Sequence, residues 1–501
     1  MDDRRRSAAK RVLMVVLIVL AVLFGLGAWF TWYKLFRVVP EPEWQAANGH
    51  TADDMRFMYG SIGAEQDVGI PYWIVYVLPN VFKDKLPAAG GYASFGLPWE
   101  EGQEFPVGFT KKTIGFVRVA NNCATCHTAT LRLGPDQKPR YYPTGPNHTF
   151  DLEAFFRFLV NCAKDPRFNA DTLMAEINLS SDLSWIDQQI YRYLLIPLTR
   201  KRLLEREERF SWIYQHGPQW PDWGRGRDDA MNLTKYFLTN SPMDPTLGPT
   251  DMPSVWNLYK YDKKDNRLNF CGDSWDPRSV IIDSALGLLG AAPGSNQVFL
   301  DEVEWLYKYL GGYPAPKYPF PIDAARAAAG SAVFQARCAE CHRGDAVGTV
   351  MTMNEAGSDG RMLGTDINRI LSWNREAAIK SNRAVERFGI KRRGLVEADP
   401  NGYIRAHLDG IWLRAPYLHN GSVPNLRSLL EPAAARPKLF YRGYDVYDPV
   451  NVGFVVQGPE AMRIGTVYDV NRRSNGNQGH EYGADLSAAD KDALIEYLKT
   501  L

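Results

Sequence analysis

The chain has 501 residues, 45% hydrophobic and 23% charged, with 58 Lys and Arg against 57 Asp and Glu for a net charge of +1. That composition belongs to a folded protein too long for a single core, and it excludes a disordered chain. The near-neutral balance argues against nucleic acid, or any strongly charged macromolecule, as a partner.

Asp2 and Asp3 are followed by Arg4, Arg5, Arg6, Lys10 and Arg11, and then 22 residues, Val12 to Tyr33, pass without a charge. As a helix this run is about 33 Å long, enough to cross a hydrocarbon core of roughly 30 Å. The cations ahead of it hold the N-terminus in the cytoplasm, and Trp29, Trp32 and Tyr33 stand where an interfacial aromatic belt belongs. The expected layout is a cytoplasmic tail (1–11) and one transmembrane helix (12–33) in a bacterial inner membrane, with everything from Lys34 onward in the periplasm. A cleaved signal peptide is the competing reading. The run is longer than a signal core, however, and it ends in bulky aromatics rather than small residues.

Residues 34–104 mix Gly, Pro and aromatics and read as a membrane-proximal extension that packs on a first domain at 105–319. Helices are expected at Leu152–Val160, Asp182–Leu195 and Asp301–Leu310, where apolar residues recur three to four apart. Gly311 to Pro319 is the clearest linker, because its prolines forbid a continuous helix. A second domain, 320–501, opens with an Ala-rich helix over Asp323–Ala339. It closes with a helix that Ser487 can cap and that carries Leu494, Ile495 and Leu498 as an apolar stripe. Gly330 is placed to let these two helices cross closely. The expected fold is mainly α: two cytochrome c-like domains with long loops, behind one membrane helix.

Cys123-Ala124-Thr125-Cys126-His127 and Cys338-Ala339-Glu340-Cys341-His342 stand 215 residues apart in a chain with six cysteines. Each is a C-x-x-C-H, the attachment site of a c-type haem, in which two thioethers hold the porphyrin and the His binds iron. Two covalently attached haems are therefore expected, with His127 and His342 as proximal ligands. The remaining cysteines, Cys162 and Cys271, are expected to form a disulfide in an oxidising compartment, with separate buried thiols as the alternative.

The sixth iron position decides between electron relay and oxidant chemistry. His480, between flanking glycines just ahead of the closing helix, is the candidate distal ligand of the second haem. His419 is the rival, better suited to hydrogen-bonding a propionate or backbone; His407 is less well placed. At the first haem, His216, Asp228 and Asp229 are candidates for acid–base work on peroxide. Arg225 and Arg227 can pair with propionates, and Trp220, Trp223 or Trp256 can wall the pocket or stand between the haems. His148 can contact haem or sit near the start of the helix at Asp151.

Several motifs carry a resemblance: Gly224-x-Gly226-Arg227-x-Asp229-x-x-Asn232, Asp251-Met252-Pro253-Ser254-Val255-Trp256-Asn257, Gly364-Thr365-Asp366 and, most specifically, the run from Gly410 to Leu426 that contains Ala415-Pro416-Tyr417-Leu418-His419-Asn420-Gly421. Over about 105–501 the chain resembles the large di-haem c-type proteins related to bacterial di-haem cytochrome c peroxidases and to di-haem rubber oxygenases. The resemblance implies one haem per domain, one of them six-coordinate and the other the site for peroxide or oxygen. In the oxygenase branch the six-coordinate haem is bis-His with a ligand late in the chain, matching His480. In the peroxidase branch a Met serves instead, and that position here is Ala433. Phe270-Cys271-Gly272-Asp273 departs from the Trp-Asp-Gly that relatives often carry.

The expected function is a membrane-anchored periplasmic oxidoreductase that exchanges electrons with a periplasmic or membrane partner and meets peroxide or dioxygen at the N-terminal haem. A pure electron-transfer cytochrome and a haem subunit of a larger membrane complex are the alternatives.

Overall fold

The computed structural model describes residues 2–214, 221–291 and 296–501. It is mainly helical, with short antiparallel sheets of two or three strands. Helix α1 spans Asp2–Leu35. Within it Lys10–Leu35 is long and apolar enough to cross a membrane, and its most apolar stretch is not buried against the rest of the protein. The predicted run 12–33 lies inside this helix.

The chain leaving α1 is seated on a hairpin. Strands β1 (Ile70–Pro71), β2 (Phe109–Ile114) and β3 (Phe116–Asn121) form a sheet in the order β1-β3-β2. At the β2–β3 turn, Gly115 donates its N–H to the Arg37 carbonyl at 2.7 Å, and Val39 donates to Thr113 at 3.0 Å. A β-carbon on Gly115 would stand 2.3 Å from the α-carbon of Leu35, so only glycine allows this approach.

Helix α2 (Ala52–Tyr59) starts with a reciprocal cap between Thr51 and Asp54. It buries Met55, Phe57 and Met58 in one core cluster with Ile281, Ile282, Val303 and Leu306, and Ala124 of the first C-x-x-C-H belongs to the same cluster. A second cluster is built of phenylalanines from α4 (Leu152–Lys164) together with residues of α3 (Tyr72–Val81), α5 (Ala170–Ser180) and α7 (Ile196–Tyr214). Residues of the 34–104 segment thus share cores with residues from far along the chain. Between α5 and α7, α6 (Trp185–Ile190) runs through a π turn, Tyr191–Leu195, directly into α7. The expected helix over Asp182–Leu195 begins only at Trp185, because the Ser184 hydroxyl accepts the Asp187 N–H and ends the extended lead-in.

The two helices predicted for the last third, Ala324–Arg337 and Ala488–Leu498, cross in close contact. Asp323 and Ser487 cap them, and the Asp323 N–H reaches across to Glu496 at 2.7 Å. The Pro-rich stretch from Tyr313 to Pro319 ahead of the first of them has no regular secondary structure and is pinned, with Trp412 Nε1 donating to the Pro316 carbonyl at 2.9 Å.

The expected disulfide is not formed. Cys162 lies in the phenylalanine cluster, Cys271 lies with Met351, Leu363 and Tyr403 in another, and both are free buried thiols. Spacing along the chain carried no information about which core each thiol would join.

Candidate functional site

The helix Ala324–Arg337 ends where the second motif begins. The Cys338 carbonyl accepts from the N–H groups of both Cys341 (3.2 Å) and His342 (3.1 Å), so one tight turn presents two thiols and an imidazole together. His342 Nδ1 lies 2.8 Å from the Ala406 carbonyl. A carbonyl only accepts, so Nδ1 carries the hydrogen and Nε2 keeps its lone pair for a metal. His480 stands opposite, its ring centroid 6.2 Å from that of His342 with 49° between the planes. Two imidazoles on opposite sides of one metal, each nitrogen about 2.0 Å from it, put their centroids roughly 6 Å apart. The pair therefore fits a bis-imidazole iron.

His480 reaches this position through a backbone few residues adopt. Its φ is +47° and that of Gly479 is +78°. A β-carbon on Gly479 would lie 2.3 Å from the carbonyl carbon of Gly364, and the His480 N–H donates to the Leu363 carbonyl at 2.8 Å. Buried Arg436 pins the loop, donating to the carbonyls of Asn477 (2.6 Å), Gly479 (2.8 Å) and His480 (3.2 Å). Burial, then His342 and Arg436, lowers the His480 pKa to about 4, which keeps the ring in the neutral, ligating form at neutral pH.

At the first motif, Asn122 caps the turn through the Ala124 N–H at 2.9 Å and ties it to α2 by donating to the carbonyls of Phe57 and Gly60, both at 2.9 Å. His127 repeats the arrangement of His342: its Nδ1 donates to the Pro253 carbonyl at 2.7 Å, leaving Nε2 as acceptor. Burial lowers its pKa to about 4. Burial also pushes Cys123 up to about 12. Among the described residues no second imidazole is paired with His127 as His480 is with His342. His216 and Trp220 lie outside the described residues.

Asp228 and Asp229 sit side by side but do different things. Asp229 is a helix cap: its carboxylate accepts from the Asn232 side chain at 2.8 Å and the Gly248 N–H at 2.9 Å. Asp228 sits on a short strand pair, Arg227↔Asp251 and Asp228↔Thr250. It is buried, and burial first and Asp229 second raise its pKa to about 7. Burial first, then Asp228 in its ionised form and Cys123, raise the Cys126 thiol, so Asp228 lies close to the first motif.

The guanidinium groups expected at propionates are held by protein. Arg225 donates to the carbonyls of Thr149 (2.7 Å) and Ser94 (3.0 Å). Arg227, fully buried, donates to the Trp223 carbonyl at 2.7 Å and to Asn475 at 2.9 Å. His419 is buried, with its ring stacked 4.3 Å from Tyr403. The Tyr403 hydroxyl donates to the Asp366 carbonyl, so the 3.1 Å contact with His419 Nε2 has the imidazole as donor. His148 stacks on Phe454, and His407 Nδ1 accepts from Arg414 and the Asp409 N–H.

Trp256 follows Pro253, which holds His127, by three residues, and it belongs to the core cluster that includes Phe334 and against which Cys338 packs. Its Nε1 donates to the Asp409 carbonyl at 3.0 Å. Trp223 is buried too, its backbone N–H held by Glu153. Three contributors were not read from the sequence: the Pro253 and Ala406 carbonyls and Arg436. The carbonyls carry no residue-type signal, and Arg436 is one of five arginines between Pro432 and His480, so nothing in the sequence singles it out. Among the described residues, no group of three or more His, Cys, Asp or Glu is placed to hold a bare metal ion.

Comparison with known proteins places part of this chain. A family model described as RoxA-like, cytochrome c-like matches residues 402–441, which include the Gly410–Leu426 run. An uncharacterised protein of Sinorhizobium fredii, y4iM, is 28% identical over 330 residues, 56% of this chain and 71% of that protein. A second from the same organism, y4iJ, is 41% identical over 111 residues, 20% of this chain and 18% of that protein. The chain is therefore similar to RoxA-like cytochromes c over that C-terminal segment, and in general terms it has the marks of a membrane-linked redox protein.

Proposed function

We propose that this chain is a membrane-anchored di-haem c-type oxidoreductase. Cys123, Cys126 and His127 would hold one haem, and Cys338, Cys341, His342 and His480 would hold the other. A haem held at each motif would supply one-electron chemistry and, where its iron keeps a free position, a site for peroxide or dioxygen. The observation that carries the reading is the pairing of His342 with His480 at a 6.2 Å centroid separation, set against an unpaired His127 among the described residues. The side with His342 and His480 would then serve as relay to a periplasmic or membrane electron partner, and the His127 side would meet the oxidant.

The protein's own groups divide the work. The Pro253 and Ala406 carbonyls fix the tautomer and aim of the proximal imidazoles. Asp228, neutral below about pH 7, can hold a proton beside the first site. Trp256 offers an aromatic bridge between the motif environments. Electron paramagnetic resonance of the oxidised protein tests the proposal. One low-spin and one high-spin haem are expected; two low-spin haems would leave only electron transfer.

A further inference from the structure

The helical stretch from Trp185 to Leu198 turns an apolar face outward. α6, the π turn and the first turn of α7 bury Tyr191, Leu195, Ile196 and Thr199, and leave Trp185, Ile186, Tyr193, Leu194 and Leu198 in the open. Trp185 is 73% exposed, Tyr193 is 74%, and Leu179 at the end of α5 is 80%. Five large apolar side chains exposed along one helical stretch, broken by the Arg192–Asp171 ion pair, call for a covering surface.

Its position indicates which surface. Asp187, inside this stretch, accepts from the Lys34 ammonium at 2.7 Å, and Lys34 is the first charge after the apolar run of α1. The strip therefore begins at the level where α1 leaves the hydrocarbon. Trp29, Trp32 and Tyr33 lie exposed at that end of α1. The side facing the protein is tied to α3, where the Tyr191 hydroxyl meets the Trp73 backbone and Trp73 packs edge-on against Tyr72 and Tyr76. Beyond Leu198 the exposed residues become ionic: Lys201 and Arg202, each loosely paired with Glu205 at 3.8 and 3.7 Å. An apolar and aromatic body with cations at its rim is the pattern of a helix lying in the headgroup layer.

We propose that Trp185–Leu198, with Leu179, lies in the interfacial layer of the bilayer that α1 crosses, so that the body is seated on the membrane rather than tethered loosely to it. The proposal rests on the reading of α1 as membrane-spanning. Seating of this kind holds the two motif regions at one height and orientation above the lipid, which narrows the approach of a membrane-bound redox partner.

The test uses the full haem-loaded chain in vesicles of phosphatidylcholine and phosphatidylglycerol containing a phospholipid with a photoactivatable headgroup-proximal label. Lipid adducts mapped by peptide mass spectrometry are expected on Trp185–Leu198 as well as within 12–33. The combined variant Ile186→Asp, Tyr193→Asp, Leu194→Asp, all at exposed positions, is expected to lose the first set and keep the second, with an unchanged visible spectrum. Adducts confined to 12–33 overturn the seating while leaving the anchor intact. Adducts at neither site overturn the spanning reading as well. Cross-links from Trp185–Leu198 to another protein in native membranes, with none to lipid, also overturn the seating and assign the face to a partner subunit.

Discussion

His342 and His480 face each other with ring centroids 6.2 Å apart, although 138 residues separate them in the chain. The relationship depends on two devices of different kinds. Hydrogen-bonding to Ala406 aims His342, and a left-handed backbone at Gly479 and His480, clamped by Arg436, aims His480. Replacing His480 with Ala is expected to turn one low-spin haem signal high-spin and leave the other haem unchanged, as read by electron paramagnetic resonance. If both signals survive, His480 is not a ligand.

Asp228 makes a pH-dependent prediction. Its pKa is raised from 3.8 to about 7, by burial and then by Asp229. The native state therefore binds this proton more tightly than the unfolded chain does. Its stabilising contribution is full below about pH 4 and is lost as pH rises through about 7. Asp228→Asn is expected to remove that loss, a difference of about 4 kcal/mol at most between the two ends of the window, measured by denaturant unfolding at a series of pH values. If its proton serves peroxide chemistry, turnover in the parent also falls above pH 7, and the Asn variant lacks that limb.

The crossing of the two helices near the second motif depends on one missing side chain. A β-carbon on Gly330 would lie 1.8 Å from the Ala493 carbonyl oxygen. Gly330→Ala is expected to cost ~1–3 kcal/mol through forced separation of the helices, seen as a lower thermal midpoint. An unchanged midpoint would mean the crossing relaxes freely.

Arg369 and Asp273 form a fully buried ion pair at 2.6 Å, beside Cys271. Arg369→Met strands the carboxylate and is expected to cost about 3–5 kcal/mol. Adding Asp273→Asn should recover most of the loss, and a double variant no more stable than the single one would show that the arginine acts through packing instead.

Some of this architecture was legible in advance. Ser487 announced its helix because a capping side chain sits next to the backbone it serves, and the Ala-rich run after Asp323 announced the other. Gly330 was readable as a crossing point because it interrupts an otherwise favourable helix. The pairing of Cys162 with Cys271 failed for the opposite reason: two thiols far apart in sequence say nothing of which core each one joins. Asp228 and Asp229 looked equivalent as neighbours, and only the fold made one a helix cap and the other a buried acid.

By itself, the sequence determined what is local: a charge-free run long enough for a membrane helix, two C-x-x-C-H turns, and the caps and breaks of the terminal helices. Tertiary structure decided which carbonyl orients each imidazole, which histidine faces His342, and which apolar helix face remains uncovered next to Lys34. Those outcomes depend on backbone groups that every residue carries alike and on contacts between segments 64 to 153 residues apart, for which the order of residue types holds no direct signal.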